Sequence, residues 1–379
     1  MNEDKATRYH RLKRRVSVGS LVWSTLLLAV LTLSGASIGL RTLVESLAPV
    51  GGASPIRDVA LYVLCLFLIN EAGSLPLAFY GGHVLEHRYG LSRETLGGWA
   101  VDQLKAAGIG LVLSVAAAEA VYATLRLWPD WWWAIAGLLF SLVIVAMANL
   151  APVLLLPIFY RFEPLDREEL KQRLLRLAAR ARTRVMGVYT WHLGERTRKA
   201  NAALTGLGRT RRILVSDTLL AEYSDDEIEV ILAHELAHHV HGDIWKGIAF
   251  EALLITGGFG LADLVLRELT PVLGLRGPAD VAGLPLLLLA AGGLSLLLVP
   301  VANALSRRHE RQADRYALDM TKNATAFVSA MRRLAAQNLA EDAPSGLVRA
   351  LFYTHPPIRE RIAAAERFLP VRPAPSSTP

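Results

Sequence analysis

The chain has 379 residues, of which 53% are hydrophobic and 20% charged, and its mean hydropathy is +0.33. Soluble domains sit near ~45–50% apolar and ~25% charged, so this composition leans towards lipid and excludes disordered, collagen-like and disulfide-scaffold classes. One cysteine, Cys65, excludes an intrachain disulfide and a thiolate metal cage, and the net charge of +7 awaits explanation by topology.

Six apolar stretches, each near the ~20 residues a membrane span needs, follow in chain order: 16–40, 59–80, 106–125, 131–160, 248–266 and 281–306. The first follows a basic tail, yet it is too long for the apolar core of a signal peptide and is read as an uncleaved span. Lys5, Arg8, Arg11, Lys13, Arg14 and Arg15 place the N-terminal tail in the cytoplasm. Six alternating spans then leave the weakly charged segments 41–58, 126–130 and 267–280 on the far side. The Arg-rich segments 81–105, 161–247 and 307–379 fall in the cytoplasm. The positive charge is thereby accounted for, with no nucleic-acid partner. Glu71, Glu119, Glu251 and Asp263 lie within spans. Intramembrane acids usually face protein or water, so spans surrounding a hydrated cavity are expected.

The polar segment after the fourth span carries two strand patterns, 199–205 and 211–216, around Gly206 and Gly208, which read as a β-hairpin. A helix start follows: Ser224 and Glu227 have capping-box spacing, and Asp225 and Asp226 occupy the first turn. Gly242 marks the stop. Between them lies His234-Glu235-Leu236-Ala237-His238, which sets two imidazoles one turn apart on one helical face. That spacing suits two ligands to one zinc ion, with Glu235 beside them as a base. His239 and His241 are assigned to a solvated helix end.

Zinc needs a third protein ligand and an open fourth position. The run 306–314, SRRHERQAD, continues the sixth span as a helix and offers Glu310 or, as rival, His309. Asp314, one turn beyond Glu310, suits the orientation of a ligand imidazole.

Taken together, the HELAH motif, SRRHERQAD at 306–314 and THPPIRER at 354–361 resemble the integral-membrane zinc metalloproteases that include CAAX prenyl protease 1. The match extends more loosely to the heat-shock membrane zinc proteases of bacteria. NAALTG at 201–206, RILVSDTLL at 212–220, the span end at 151–165 and EHRYGLSRETL at 86–96 extend the likeness to about residues 59–366. The resemblance implies His234, His238 and Glu310 as zinc ligands and Glu235 as catalytic base. It further implies that Asn201 holds substrate backbone, His355 stabilises an oxyanion and Arg361 supports the substrate site. On the residues alone, Asn201 is equally a polar strand end, and His355 equally a turn fixed by Pro356 and Pro357.

The expected fold is therefore mainly α: a polytopic membrane protein of about six spans with a cytoplasm-facing zincin-like α+β domain. Residues 1–160 would form four spans, 161–245 the subdomain with the metal-binding helix, 246–306 two further spans, 307–367 the helical part completing the site, and 368–379 a disordered tail. The CAAX-type enzymes have seven spans around a large chamber, against six here. The expected activity is hydrolysis of peptide bonds, on a peptide or protein substrate that is prenylated or membrane-inserted, in a bacterial inner membrane or, second to it, the endoplasmic reticulum. A membrane quality-control protease is the alternative within enzymes, and a non-catalytic zinc transporter or sensor the alternative outside them. Histidines gathered on one polar helix, beside a base that transport does not need, favour the enzyme.

Overall fold

A computed structural model describes residues 4–47, 54–206 and 208–369, with the side chain of Arg209 left aside. The expected tail therefore lies outside the described residues from 370 onward. Leu369 still packs on the hydrophobic core of the polar domain.

Among the described residues six helices are long and apolar enough to cross a membrane. They are α1 (Lys5–Leu33), α3 (Pro55–Phe79), α5 (Leu96–Leu127), α6 (Trp132–Leu154), α11 (Asp243–Leu269) and α12 (Leu284–Thr321). Helix α1 stops seven residues before the expected end of the first span, because Gly35 turns the chain at φ +75°. Residues 36–46 then form α2 (Ala36–Ser46). Its 11 residues reach about 16 Å, half a bilayer. Helix α3 contains Pro76, passes through a π-turn at Tyr80–Val84, and continues as α4 (Leu85–Arg88). Helix α6 is extended by the short α7 (Leu156–Phe159).

The spans pack as a ring in the order α1, α3, α5, α6, α11, α12 and back to α1. All six contribute to a central cavity of about 400 Å³ lined by Leu28, Phe67, Ala117, Phe140, Phe259 and Leu287 among others. The expectation that the intramembrane acids face such a cavity is corrected here, since none of the four lines it. Asp263 instead accepts from Trp132 Nε1 at 2.6 Å and pairs with Arg267 at 2.9 Å. Glu119 lies 3.8 Å from Arg126. Glu251 lines a different cavity beside His238. Burying a lone carboxylate in hydrocarbon is costly, and local pairing near helix ends relieves that cost. On the far side, Arg41 of α2 makes a buried ion pair with Asp280. Asp280 also accepts from the backbone N–H groups of Arg276 and Ala282.

The polar domain starts at β1 (Phe162–Pro164) and α8 (Glu168–Arg180). Leu170, Leu174, Leu177 and Ala178 recur on one face of α8 and are buried, as an amphipathic helix requires. Strands β2 (Val188–Trp191), β3 (Ala202–Thr205) and β4 (Arg212–Ser216) complete a four-stranded sheet of order β1-β2-β4-β3. The expected hairpin is present, with Ala202 opposite Val215 and Thr205 opposite Arg212. It leaves β3 at the sheet edge. Then come α9 (Asp217–Glu222), α10 (Asp225–Val240), α13 (Ala324–Gln337), α14 (Gly346–Phe352) and α15 (Ile358–Glu366). One apolar core unites α8, the sheet, α10, the end of α12 and α13.

Two helices tie the membrane ring to this domain. Helix α12 has 38 residues and is about 57 Å long, so roughly half of it projects beyond a ~30 Å bilayer core. The basic end of α1 also projects. Tyr9 donates to Glu86 at 2.6 Å, His10 Nε2 lies 2.8 Å from the Leu339 carbonyl, and Arg14 pairs with Glu341 at 2.5 Å.

Candidate metal centre and catalytic cleft

Helix α10 begins with both halves of the capping box: the Ser224 side chain accepts from the Glu227 N–H, and Glu227 accepts from the Ser224 N–H at 2.8 Å. Its last turn carries His238, and Gly242 (φ +69°) reverses the chain into α11. The projecting part of α12 packs along α10. That packing brings Glu310 to the two imidazoles: Glu310 Oε2 is 3.2 Å from His234 Nε2, and Oε1 is 3.4 Å from His238 Nε2. One ligand atom from each of the three residues lies within 4.8 Å of the others. Donors at about 2.0–2.1 Å around a tetrahedral ion stand about 3.3 Å apart, so the donor set fits a metal. Glu310 Oε2 is moreover buried with no hydrogen-bond partner, an unmet acceptor that a cation would satisfy.

His309, the rival ligand, turns away. Its Nε2 lies 3.8 Å from Asp243 Oδ1. Consecutive residues on a helix differ by about 100°, so once Glu310 faces α10, His309 cannot. His239 Nε2 sits 3.1 Å from the Leu204 carbonyl and His241 packs edge-on against Tyr316, in keeping with their exclusion as ligands.

Each imidazole meets a carboxylate at its other nitrogen. Asp314 Oδ1 is 2.9 Å from His234 Nδ1, and Asp243 Oδ2 is 3.0 Å from His238 Nδ1. Such contacts fix the tautomer and the ring orientation of a ligand histidine. Asp314 was expected from the sequence; Asp243 was not. Its signal was present in the Gly242 turn, which returns the first residue of α11 to the helix before it. Arg361 of α15 grips Asp314 through Nε at 2.9 Å and Nη2 at 2.5 Å, with Nη2 also 3.4 Å from His234 Nδ1.

Burial alone would lower the pKa of His234, but Asp314 and Glu310 outweigh it and push the imidazole up to about 9. His238 is raised for the same reason, through Glu310 and Asp243 against burial. Burial pushes the Glu235 carboxyl above its usual range.

A cleft of about 340 Å³ runs past this cluster. Asn201, His234, Glu235, His355 and Arg361 all line it, so every residue assigned by resemblance meets here except His238 and Glu310. Asn201 stands just before the edge strand β3; its N–H donates to Ser216 Oγ and its carbonyl accepts from the Ser216 N–H, each at 3.0 Å. His355 Nε2 is 3.2 Å from Glu310 Oε1 and its side chain is 60% exposed, open to the cleft. A second cavity, lined by His238, Glu310, Phe250, Glu251 and Leu305, lies between α11 and α12.

Comparison with known proteins agrees with this geometry. Residues 164–368 match Peptidase family M48, and residues 2–161 match the CAAX prenyl protease N-terminal family, described by five membrane helices. Among the described residues that region holds four candidate spans and the short α2. An uncharacterized metalloprotease, YhfN of Bacillus subtilis, is 31% identical over 96% of this chain and 85% of its own length. CAAX prenyl protease 1 of Saccharomyces cerevisiae is 29% identical over 83% of this chain and 73% of its own. The crystal structure of S. mikatae Ste24p shares the fold, with a TM-score of 0.85 at 23% identity, over 96% of this chain and 88% of that one. With more than half of its length inside the matched peptidase region and a relative of this extent, the chain belongs to peptidase family M48 and is a membrane metalloprotease.

Proposed function

We propose that this chain is a zinc endopeptidase in which His234, His238 and Glu310 hold the metal and Glu235 is the general base. The observation that carries the reading is the convergence of three ligand atoms within 4.8 Å, beside a cleft that Glu235 lines. Two imidazoles and one carboxylate are a donor set that zinc favours. Bound there, zinc supplies a water of pKa near ~7 and polarises the scissile carbonyl. Glu235 takes the proton of the attacking water and returns it to the leaving amine. His355, with Asn201, donates to the oxygen on which negative charge develops. The free edge of β3 binds the extended substrate backbone by strand addition. Asp314 and Asp243 hold the ligand imidazoles in register, and Arg361 acts at the cleft wall through Asp314.

The substrate we infer is a membrane-associated protein with a C-terminal CAAX-type motif, in line with the relatives named CAAX prenyl protease 1. The two apolar cores and the helices α11 and α12 support the division into four spans at 1–160, a metal-helix subdomain at 161–245, two spans at 246–306 and a completing part at 307–367. The distribution of Lys and Arg supports a cytoplasmic active site, and the bacterial relative supports a bacterial inner membrane.

The test incubates purified protein, with and without chelator, against a prenylated CAAX peptide and an unprenylated membrane-protein fragment. Chelator-sensitive cleavage of the first supports the full reading; cleavage of the second alone refutes the CAAX assignment and favours a quality-control protease. Glu235→Gln is expected to keep its zinc and lose ~10²–10⁴ in turnover. Parental turnover in that variant would remove Glu235 from the mechanism.

A further inference from the structure

The His355 ring meets Thr354 Oγ1 at 2.9 Å through Nδ1, and Tyr353 OH is held by Arg14 and Glu341, but the backbone between them must be fixed as well. Pro356 and Pro357 follow His355 and bring no N–H. On the downstream side the segment is anchored to α15, where the N–H groups of Glu360 and Arg361 reach the Pro357 carbonyl at 2.9 and 3.3 Å. On the upstream side lies α14, a short seven-residue helix whose last turn leaves carbonyls open to outside donors, that of Arg349 also receiving the Tyr353 N–H at 3.3 Å.

Those carbonyls are taken by α12. Arg307 Nη1 donates to the carbonyls of Arg349 at 2.9 Å and Tyr353 at 2.7 Å, and Asn303 Nδ2 donates to that of Ala350 at 2.9 Å. Asn303, Arg307, Glu310 and Asp314 fall at i, i+4, i+7 and i+11, one stripe of a continuous helix. Asn303, Glu310 and Asp314 are buried and Arg307 is half-buried, whereas the adjacent Arg308 is exposed. The same rigid element therefore presents the third metal ligand and grips the backbone two residues before His355.

We propose that Arg307, assisted by Asn303, is a positioning residue that sets His355 against the metal centre. Glu310 and His355 then keep a fixed separation, observed as 3.2 Å between Oε1 and Nε2, because α12 governs both. This rests on the reading that His355 assists the reaction. A misplacement of about 1 Å costs up to ~10²-fold in rate, so precise placement of His355 gives a half-buried arginine a function beyond packing.

The experiment uses full-length, zinc-loaded protein in detergent and follows cleavage of a peptide that the parent cleaves, together with zinc content and thermal midpoint. The variants are Arg307→Ala, Arg307→Lys, His355→Ala, Arg307→Ala with His355→Ala, and Arg308→Ala as control. Arg307→Ala should lower kcat about 10- to 100-fold, with KM and zinc content near parental and Arg308→Ala silent. One nitrogen makes both bonds, so Arg307→Lys should recover part of that loss, and it serves as the test variant should the alanine form fail to fold. Added to His355→Ala, the Arg307 substitution should cost little more, since the two act as a unit. Multiplicative losses, or a loss confined to KM or zinc content, would overturn the proposal. So would a silent Arg307→Ala beside an impaired His355→Ala, and in that case the role of His355 stands. Parental kcat in His355→Ala removes that role, and the positioning proposal with it.

Discussion

Replacing Asp314 by Leu removes one half of a buried pair and the carboxylate that faces His234, the proposed metal ligand, at the same stroke. The side chains of Arg361 and Asp314 are 9% and 8% exposed, so the guanidinium left behind cannot reach water without rearrangement. Breaking such a pair by removing one partner costs about 3–5 kcal/mol, whereas replacing both partners by apolar groups of similar volume is often neutral. Asp314→Leu alone should therefore destabilise the polar domain by about 3–5 kcal/mol, and Asp314→Leu with Arg361→Leu should recover most of that. Metal affinity should behave differently. His234 Nδ1 loses its carboxylate in both variants. Loss of such a contact typically weakens binding 10–100-fold, about 1.4–2.8 kcal/mol, and the double variant should not regain it. Thermal unfolding of the chelated protein reads the first quantity free of metal stabilisation, and competition for zinc against a chromophoric chelator reads the second. A double variant as unstable as the single would refute the buried-pair argument. Parental zinc affinity in a well-folded double variant would refute the orienting role of Asp314.

Asp243→Ala tests the other carboxylate: its partner Lys246 is half exposed and can return to water, so zinc affinity should fall about 10–100-fold with a smaller stability loss than Asp314→Leu, and chelator competition checks this. In the membrane ring, a Cβ on Gly137 would come within 2.6 Å of Thr256 Oγ1 and 3.0 Å of its Cβ. Gly137→Ala should therefore force α6 and α11 apart at a cost of about 1–3 kcal/mol, read as a lowered thermal midpoint in detergent; an unchanged midpoint would show that this contact yields easily. The acid limb of stability involves Glu227, where burial acts to raise the pKa but bonds from Ser329 and Ser224 and the nearby Arg333 hold it below the ordinary 4.5. A depressed carboxylate stabilises above its unfolded value and loses that contribution as pH falls through the folded one. The advantage of the parent over Glu227→Gln should thus be full at pH 6 and shrink below pH 4.5; a gap that stays constant in thermal melts down to pH 3 would contradict it.

Local chemistry made several features legible without any structure. The six spans were readable because membrane crossing depends on the length and apolarity of one continuous segment, and all six helices are present, although α1 ends at Leu33 rather than in the expected span to residue 40. The pairing of His234 with His238, the capping box at Ser224 and the stop at Gly242 are likewise set within one or two helical turns. The hairpin of β3 and β4 follows from two strand patterns around glycine.

Other features depend on how distant elements meet. Glu310 and His309 are neighbours on α12, and only the packing of α12 along α10 decides which one faces the imidazoles. Asp243 was missed as a support for His238 because the glycine at 242 marks only a turn, and the contact arises from the fold-back of α11 onto α10. The grip of Arg361 on Asp314 spans 47 residues, and that of Arg307 on the Tyr353 carbonyl spans 46. Asp263, placed within a span, meets Trp132, 131 residues away, instead of facing the central cavity. Segment length, periodicity and capping are properties of a stretch of chain. Which side chain fills a given space is a property of the surfaces brought against it, and here those surfaces come from helices separated by tens to hundreds of residues.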